Sequence, residues 1–227
     1  MKPKKSKRKS ERKLLIAAGA FLLIAVIVII WVSGGAKPDK LPLLGDPVYK
    51  KVNTAKGVKT DTIYPVIPPF SFVDQSNRPV GNQTYKDHIY IADFFFTSCP
   101  TICPVMSRNL KKVYDQYANA PGLMFLSYSI DPKYDTPEVL SRYADKLGVN
   151  ASRWHFVTGN KDAIYTLAEK GYYSPARKDD GANGGYVHSG GLFLVDRNGH
   201  MRGVYDGTSD EEVAQLLRDV KTLMTEK

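Results

Sequence analysis

The reading of this chain turns on His88-Ile-Tyr-Ile-Ala-Asp93-Phe94-Phe95-Phe96-Thr97-Ser98-Cys99-Pro100-Thr101-Ile102-Cys103-Pro104. Its first part, His88 to Phe96, is rich in β-branched and aromatic residues and predicts a strong strand. The apolar run stops abruptly in a loop that carries the only two cysteines of the chain, spaced C-x3-C. A strand that delivers two close thiols to the mouth of a helix makes a pair able to cycle between dithiol and disulfide, or to hold a soft metal ion between thiolates. The residue before a proline is pushed out of the α region, so neither cysteine is expected in mid-helix. Cys103 is expected at or near a helix N-cap, with Pro104 in the first turn, where its missing N–H costs no hydrogen bond. Amides and the helix dipole there favour a thiolate. A purely structural bridge is weakly motivated, because closing so short a loop restricts little of the unfolded chain.

Working outward, Ile63 to Val73 predicts a short edge strand interrupted by Pro68 and Pro69 before a turn at Asp74–Asn77. After the cysteines, Pro104 to Ala118 has helical periodicity through Val105, Leu110, Val113 and Tyr117. Leu123 to Ile130 predicts a second strong strand. A helix follows from Thr136 as N-cap, with Pro137 and Glu138 in its first turn, to about Leu147 and a stop at Gly148. Trp154–Val157 reads as a strand, and Asp162–Lys170 as a helix ending at Gly171. Leu192–Val195 and Met201–Tyr205 flank an Asn-Gly turn. Ser209 to Glu212 reads as a capping box opening a last helix. Strand, helix, strand, a second helical excursion, then a hairpin and a closing helix is the element order of a thioredoxin-like α/β fold, expected over residues 61–227.

The N-terminal end carries a different message. Residues 1–13 hold eight Lys/Arg and one Glu, leaving 24 basic against 22 acidic residues in the rest of a chain whose formal charge is +9. Leu14 to Val32 is a 19-residue run without a charged side chain, ending beside Trp31. Length and composition predict a transmembrane helix, with the basic segment 1–13 on the cytoplasmic side. The positive charge is therefore a membrane-topology signal and not a nucleic-acid signal. A cleaved signal peptide is the competing reading of Ser33-Gly-Gly-Ala36, but the run is longer than the usual apolar region and lacks a clean cleavage site. Residues 33–60, rich in Gly, Pro and Lys without periodicity, read as a tether. The expectation is a single-pass protein of a bacterial cytoplasmic membrane, with its soluble domain on the periplasmic, extracytoplasmic side. The first cysteine after the span is Cys99, so lipidation at an N-terminal cysteine is not expected.

Among the four histidines, His188 stands out, in Gly181-Ala-Asn-Gly-Gly-Tyr-Val-His188-Ser-Gly-Gly191. This glycine-rich loop leads into the strand that, in a thioredoxin-like sheet, lies beside the one carrying the dithiol. His88, His155 and His200 are expected in packing or surface roles. Thioredoxins place a cis-proline just before that neighbouring strand, whereas this chain has no proline after Pro175. A histidine near that position shifts the balance from docking substrate disulfides towards binding metal. Two thiolates and one imidazole suit copper(I), whereas a structural zinc site would want a fourth ligand.

Phe96-Thr-Ser-Cys99-Pro-Thr-Ile-Cys103-Pro104, Asp131-Pro-Lys-Tyr-Asp135-Thr-Pro137 and Val187-His188-Ser189, followed by a strand ending in Asp196-Arg-Asn-Gly199, resemble the Sco/SenC family of copper proteins. The resemblance runs from about Ile63 to the C-terminus. It implies a thioredoxin fold that binds copper through Cys99, Cys103 and His188, and a role in building the binuclear copper centre of cytochrome c oxidase, whose copper-binding subunit is then the partner. The family often has Asp where this chain has Val187.

Asp93 points towards a second function. It precedes Cys99 by six residues, the spacing at which thioredoxins carry a buried acid, and so is a candidate proton acceptor in disulfide exchange. The competing readings are therefore a membrane-anchored copper metallochaperone with a redox-active dithiol and an extracytoplasmic thiol-disulfide oxidoreductase that reduces the copper-ligand cysteines of the oxidase subunit. A thiol peroxidase is a weaker third. Asp131 and Asp135 are expected as turn and cap residues, Met106 as core, and Tyr172 and Tyr173 as neighbours of the glycine-rich loop.

Overall fold

The computed structural model describes residues 40–54, 57–174, 176–178, 186–188 and 190–226, together with Gly19 and Ala25. All of the expected span Leu14–Val32 except those two positions lies outside the described residues. Among the described residues no helix is long and apolar enough to cross a membrane.

From Lys40 the chain forms β1 (Val48–Thr54), β2 (Gly57–Ile63), β3 (Ser71–Asp74), β4 (Pro79–Gly81) and a short 3-10 helix at Asn82–Tyr85. There follow β5 (Ile89–Phe95), α1 (Cys103–Gln116), β6 (Leu123–Ser129), α2 (Pro137–Leu147), β7 (Trp154–Thr158) and α3 (Lys161–Tyr172). The last elements are β8 (Ala176–Lys178), β9 (Tyr186–His188), β10 (Gly191–Val195), β11 (Met201–Asp206) and α4 (Asp210–Thr225). One sheet has the order β11-β10-β5-β6-β7-β3-β4, with β5, β6 and β7 parallel and the other pairings antiparallel. This is the thioredoxin-like arrangement expected from the element order.

Strands β5, β6, β7 and β10 are buried along their whole lengths, because the sheet is covered on both faces and such strands must be apolar throughout. Adjacent residues of β5 show the two layers. Phe94 packs on Tyr172 of α3, while Phe95 packs on Tyr143 of α2, so α2 and α3 lie on opposite faces. Ser107 of α1 is hydrogen-bonded to Tyr143 at 2.7 Å, and Tyr117, the C-cap of α1, donates to the Leu217 carbonyl of α4 at 2.9 Å, which sets α1 and α4 on the α2 side. Each fully buried aromatic ring in this core contributes about 1.5–3 kcal/mol.

Local signals hold at most boundaries. Thr136 caps α2 through its hydroxyl, and Gly148 ends the helix in the left-handed region at φ 66°. Several expectations are corrected. Gly171 does not stop α3. It lies inside the helix, where an added Cβ would come within 2.9 Å of Pro68, and the left-handed cap is Tyr173 at φ 52°. The turn at Asp196–Gly199 is not a two-residue Asn-Gly turn. Gly199 N–H bonds back to the Asp196 carbonyl and Gly199 alone of the turn takes positive φ, at 84°. The box at Ser209 is half formed: its hydroxyl accepts from Glu212 N–H, but the Glu212 carboxylate takes the Asp206 N–H, because Ser209 N–H already donates to the Asp206 carbonyl.

The stretch read as a tether is folded from Leu41 onward. Leu41 is buried, and its carbonyl and that of Pro42 accept from the guanidinium of Arg202, which also pairs with Asp196 and Glu226. A buried cation needs every donor matched, and the start of the domain supplies two acceptors. β1 and β2 form an antiparallel hairpin that begins inside the same stretch and runs on to Ile63. Its residues mix Lys, Thr and Asp with apolar side chains in no regular alternation and bury little, so it carries no period-2 signal.

Candidate metal centre

The parallel strands β5 and β6 end level with one another, Phe95 opposite Ser129, and the loops that leave them meet beyond that edge. The Cys99 N–H bonds the Phe96 carbonyl at 3.2 Å, closing a turn over Thr97 and Ser98. Ile102 is the N-cap of α1 and Pro104 lies in its first turn, as the proline spacing predicts. The two thiols are hydrogen-bonded to one another.

They are not equivalent. Cys99 keeps 7% of its surface and Cys103 only 1%. Burial pushes the Cys99 thiol up, but the hydrogen bond from the Cys103 thiol and the backbone N–H groups of Thr101 and Cys103 outweigh it, and its pKa falls below the ordinary value. Burial pushes Cys103 well above the ordinary range, and its hydrogen bond to Cys99 adds to the rise. Of the two, Cys99 is therefore the one whose surroundings favour the thiolate expected at the helix mouth. The amides at the start of α1 point at the sulfur four residues upstream, while Cys103 is sunk into the core.

Asp93 is buried within β5, not turned to solvent. Ser127 donates to its Oδ1 at 2.5 Å and Trp154 Nε1–H donates to Ser127 Oγ at 2.9 Å. Burial raises the Asp93 carboxyl to about 7, with the Ser127 bond pulling it back. Its charge is close enough to push Cys103 further up.

The backbone of His188 lies in β9, paired with Ala176 of β8, and its side chain lies outside the described residues. Among the described residues no three His, Cys, Asp or Glu side chains gather as a metal site. Two residues beyond His188, Gly190 lines a cleft of about 540 Å3 together with Ile102, Tyr172 and Tyr173. The other histidines are engaged elsewhere. His155 is buried against the Tyr85 hydroxyl, and burial lowers its pKa. His88 Nδ1 contacts the Lys86 carbonyl, and His200 Nδ1 the Pro65 carbonyl. Met106 is core.

One residue has a larger part than its turn position suggests. Asp135 is wholly buried, and its carboxylate receives Thr97 N–H at 3.2 Å, the Thr97 hydroxyl, and the Ser129 hydroxyl at 2.5 Å. Thr136, not Asp135, is the cap. The sequence signal was the nearness of Asp135 to the end of β6 and of Thr97 to the end of β5, and only the parallel pairing of those strands brings the two together.

The SCO1/SenC family model matches residues 59–225. The chain belongs to the SCO1/SenC family. Among its relatives, the SCO1 protein homolog of Bacillus subtilis (strain 168) is 28% identical over 163 residues, covering 71% of this chain and 84% of the relative. The solved structure of BsSco, described as having a disulfide switch and as a member of the Sco family of cytochrome c oxidase assembly proteins, is 26% identical at a TM-score of 0.63, covering 81% of this chain and 99% of that one. ScoI of Bradyrhizobium japonicum, solved with copper bound, shares the fold at 23% identity and a TM-score of 0.56, over 68% of this chain and 99% of that one.

Proposed function

We propose that this SCO1/SenC protein carries copper on Cys99, Cys103 and His188 and delivers it to the binuclear copper centre of cytochrome c oxidase, held at the membrane through residues 14–32. The observation that carries the reading is the pair of buried, mutually hydrogen-bonded thiols at the start of α1, in a chain of a family whose members include a cytochrome c oxidase assembly protein and a copper-bound structure. The donor set fits the cargo. Two sulfurs and an imidazole are soft ligands for copper(I), and Cys99, whose pKa is lowered, gives up its proton more readily than Cys103. Cys103 must lose its proton on loading, so copper uptake releases a proton and weakens as pH falls. Oxidation consumes both sulfurs, so disulfide and copper exclude each other. The test is copper(I) titration of the reduced protein against a competing chelator: one ion per chain, weaker retention in His188→Ala and loss in Cys99→Ser or Cys103→Ser. Equal retention by either serine variant ends the metal reading.

One observation favours the oxidoreductase reading. Asp93, raised to about 7 beside the dithiol, is suited to take the Cys103 proton during disulfide exchange. In that case Asp93→Asn slows disulfide exchange while leaving copper affinity unchanged, and reduction of a generic protein disulfide at the rate of a thioredoxin would favour the enzyme over the chaperone.

A further inference from the structure

Thr97 and Ser98 form the centre of the turn that presents Cys99, and this turn is held from outside its own loop. Thr97 is half-buried and Ser98 exposed, so packing alone fixes the turn weakly. Both donors of Thr97, its N–H and its hydroxyl, end on the carboxylate of Asp135, 38 residues away in the chain. That carboxylate is itself fixed. The Ser129 hydroxyl at the end of β6 donates to it at 2.5 Å, and the Asp135 N–H closes onto the Asp131 carbonyl at 2.9 Å. The far side of the dithiol is also rigid, because Cys103 is the first residue of α1. The distance between the two sulfurs is therefore governed by the turn at Thr97 on one side and by the helix on the other.

We infer that Asp135 is a positioning residue for the dithiol: by clamping both donors of Thr97 it holds Cys99 against Cys103, and so sets how readily the pair closes to a disulfide. Hydrogen bonds to a buried carboxylate are the strong kind, and their loss leaves an unmatched group inside the protein. Without the clamp the loop samples more conformations, the effective concentration of one sulfur at the other falls, and the disulfide becomes easier to reduce. The inference deepens the proposed role of the same site, in which an open dithiol holds copper and a closed one does not.

The experiment equilibrates the full-length chain in detergent with mixtures of reduced and oxidised glutathione. The Cys99 and Cys103 sulfurs join, and two electrons and two thiol protons pass to oxidised glutathione, giving two reduced molecules. Alkylation and mass spectrometry read the ratio. Thr97→Val, which keeps size and the N–H but removes the hydroxyl donor, is expected to lower the equilibrium constant for closure about tenfold, about 30 mV for a two-electron couple. Thr97→Ser restores the parent value, and Asp135→Asn shifts the constant in the same direction as Thr97→Val. Thr136→Ala removes the cap of α2 next to Asp135 and lowers stability by a similar amount without touching Thr97, and it is expected to stay within twofold of the parent. The inference is overturned if Thr97→Val stays within twofold, or if Thr136→Ala shifts the constant as far as Thr97→Val does, since a general loosening then explains both. If Asp135→Asn does not fold, the Thr97 pair still decides. A parent that binds no copper(I) removes the copper reading and leaves the glutathione comparison intact.

Discussion

Replacing Asp93 by Asn is expected to make the protein more stable above neutral pH and to flatten its pH dependence. Moving a carboxyl from its ordinary value of 3.8 to about 7 makes ionisation about 4 kcal/mol harder in the fold than in the unfolded chain, at about 1.4 kcal/mol per pH unit. Between those two values the native state holds a proton that the unfolded state has released. Stability therefore falls as pH rises from about 4, and the full penalty is present above about 7. The amide introduced by Asp93→Asn has no charge to lose and can still accept the Ser127 hydroxyl, although a neutral acceptor is weaker than a carboxylate by about 1 kcal/mol. The variant is thus expected to match the parent within about 1 kcal/mol at pH 4.5 and to exceed it by roughly 3 kcal/mol at pH 8. Urea unfolding of the reduced compact unit from Lys40, at pH values from 4.5 to 8, measures the difference. Subtracting variant from parent removes the contributions of His155 and Asp135, which titrate in both. A difference that does not change with pH would refute the claim that Asp93 is held protonated by burial.

The two thiols should separate by reactivity: iodoacetamide at pH 7 is expected to label Cys99 well before Cys103, read by mass spectrometry, and equal labelling would contradict the assignment of the thiolate to Cys99. Arg202→Met leaves Asp196 and Glu226 buried without their cation and releases Leu41, so unfolding free energy should drop by about 3–5 kcal/mol and proteolysis near Leu41 should quicken; unchanged stability would remove the clasp. Gly148→Ala places a Cβ at φ 66° and should cost about 1 kcal/mol, measured by the same unfolding assay.

The sequence alone carried the order of the main elements from β5 to the last helix, because these are announced locally. The apolar run before Cys99, the proline and threonine at the start of α2, and the glycine at its end act within a few residues, where sterics and capping leave little choice. It also pointed to thiol chemistry, redox or metal, at Cys99 and Cys103, since these are the only two cysteines of the chain and the prolines beside them restrict where a helix can start. The interior depended on contacts between distant segments. Gly171 reads as a helix stop but lies inside the last turn of α3, where the approach of Pro68 leaves no room for a side chain, and the tether folds because Arg202 gathers acceptors from both ends of the domain. Which sulfur loses its proton more readily followed from tertiary contacts, which sink Cys103 into the core and give Cys99 the backbone N–H groups of Thr101 and Cys103. The grip of Asp135 on Thr97 needed the parallel register of β5 and β6. Local rules act over one turn of chain. The environment of a titrating or positioning group is made by residues that meet only when the sheet closes.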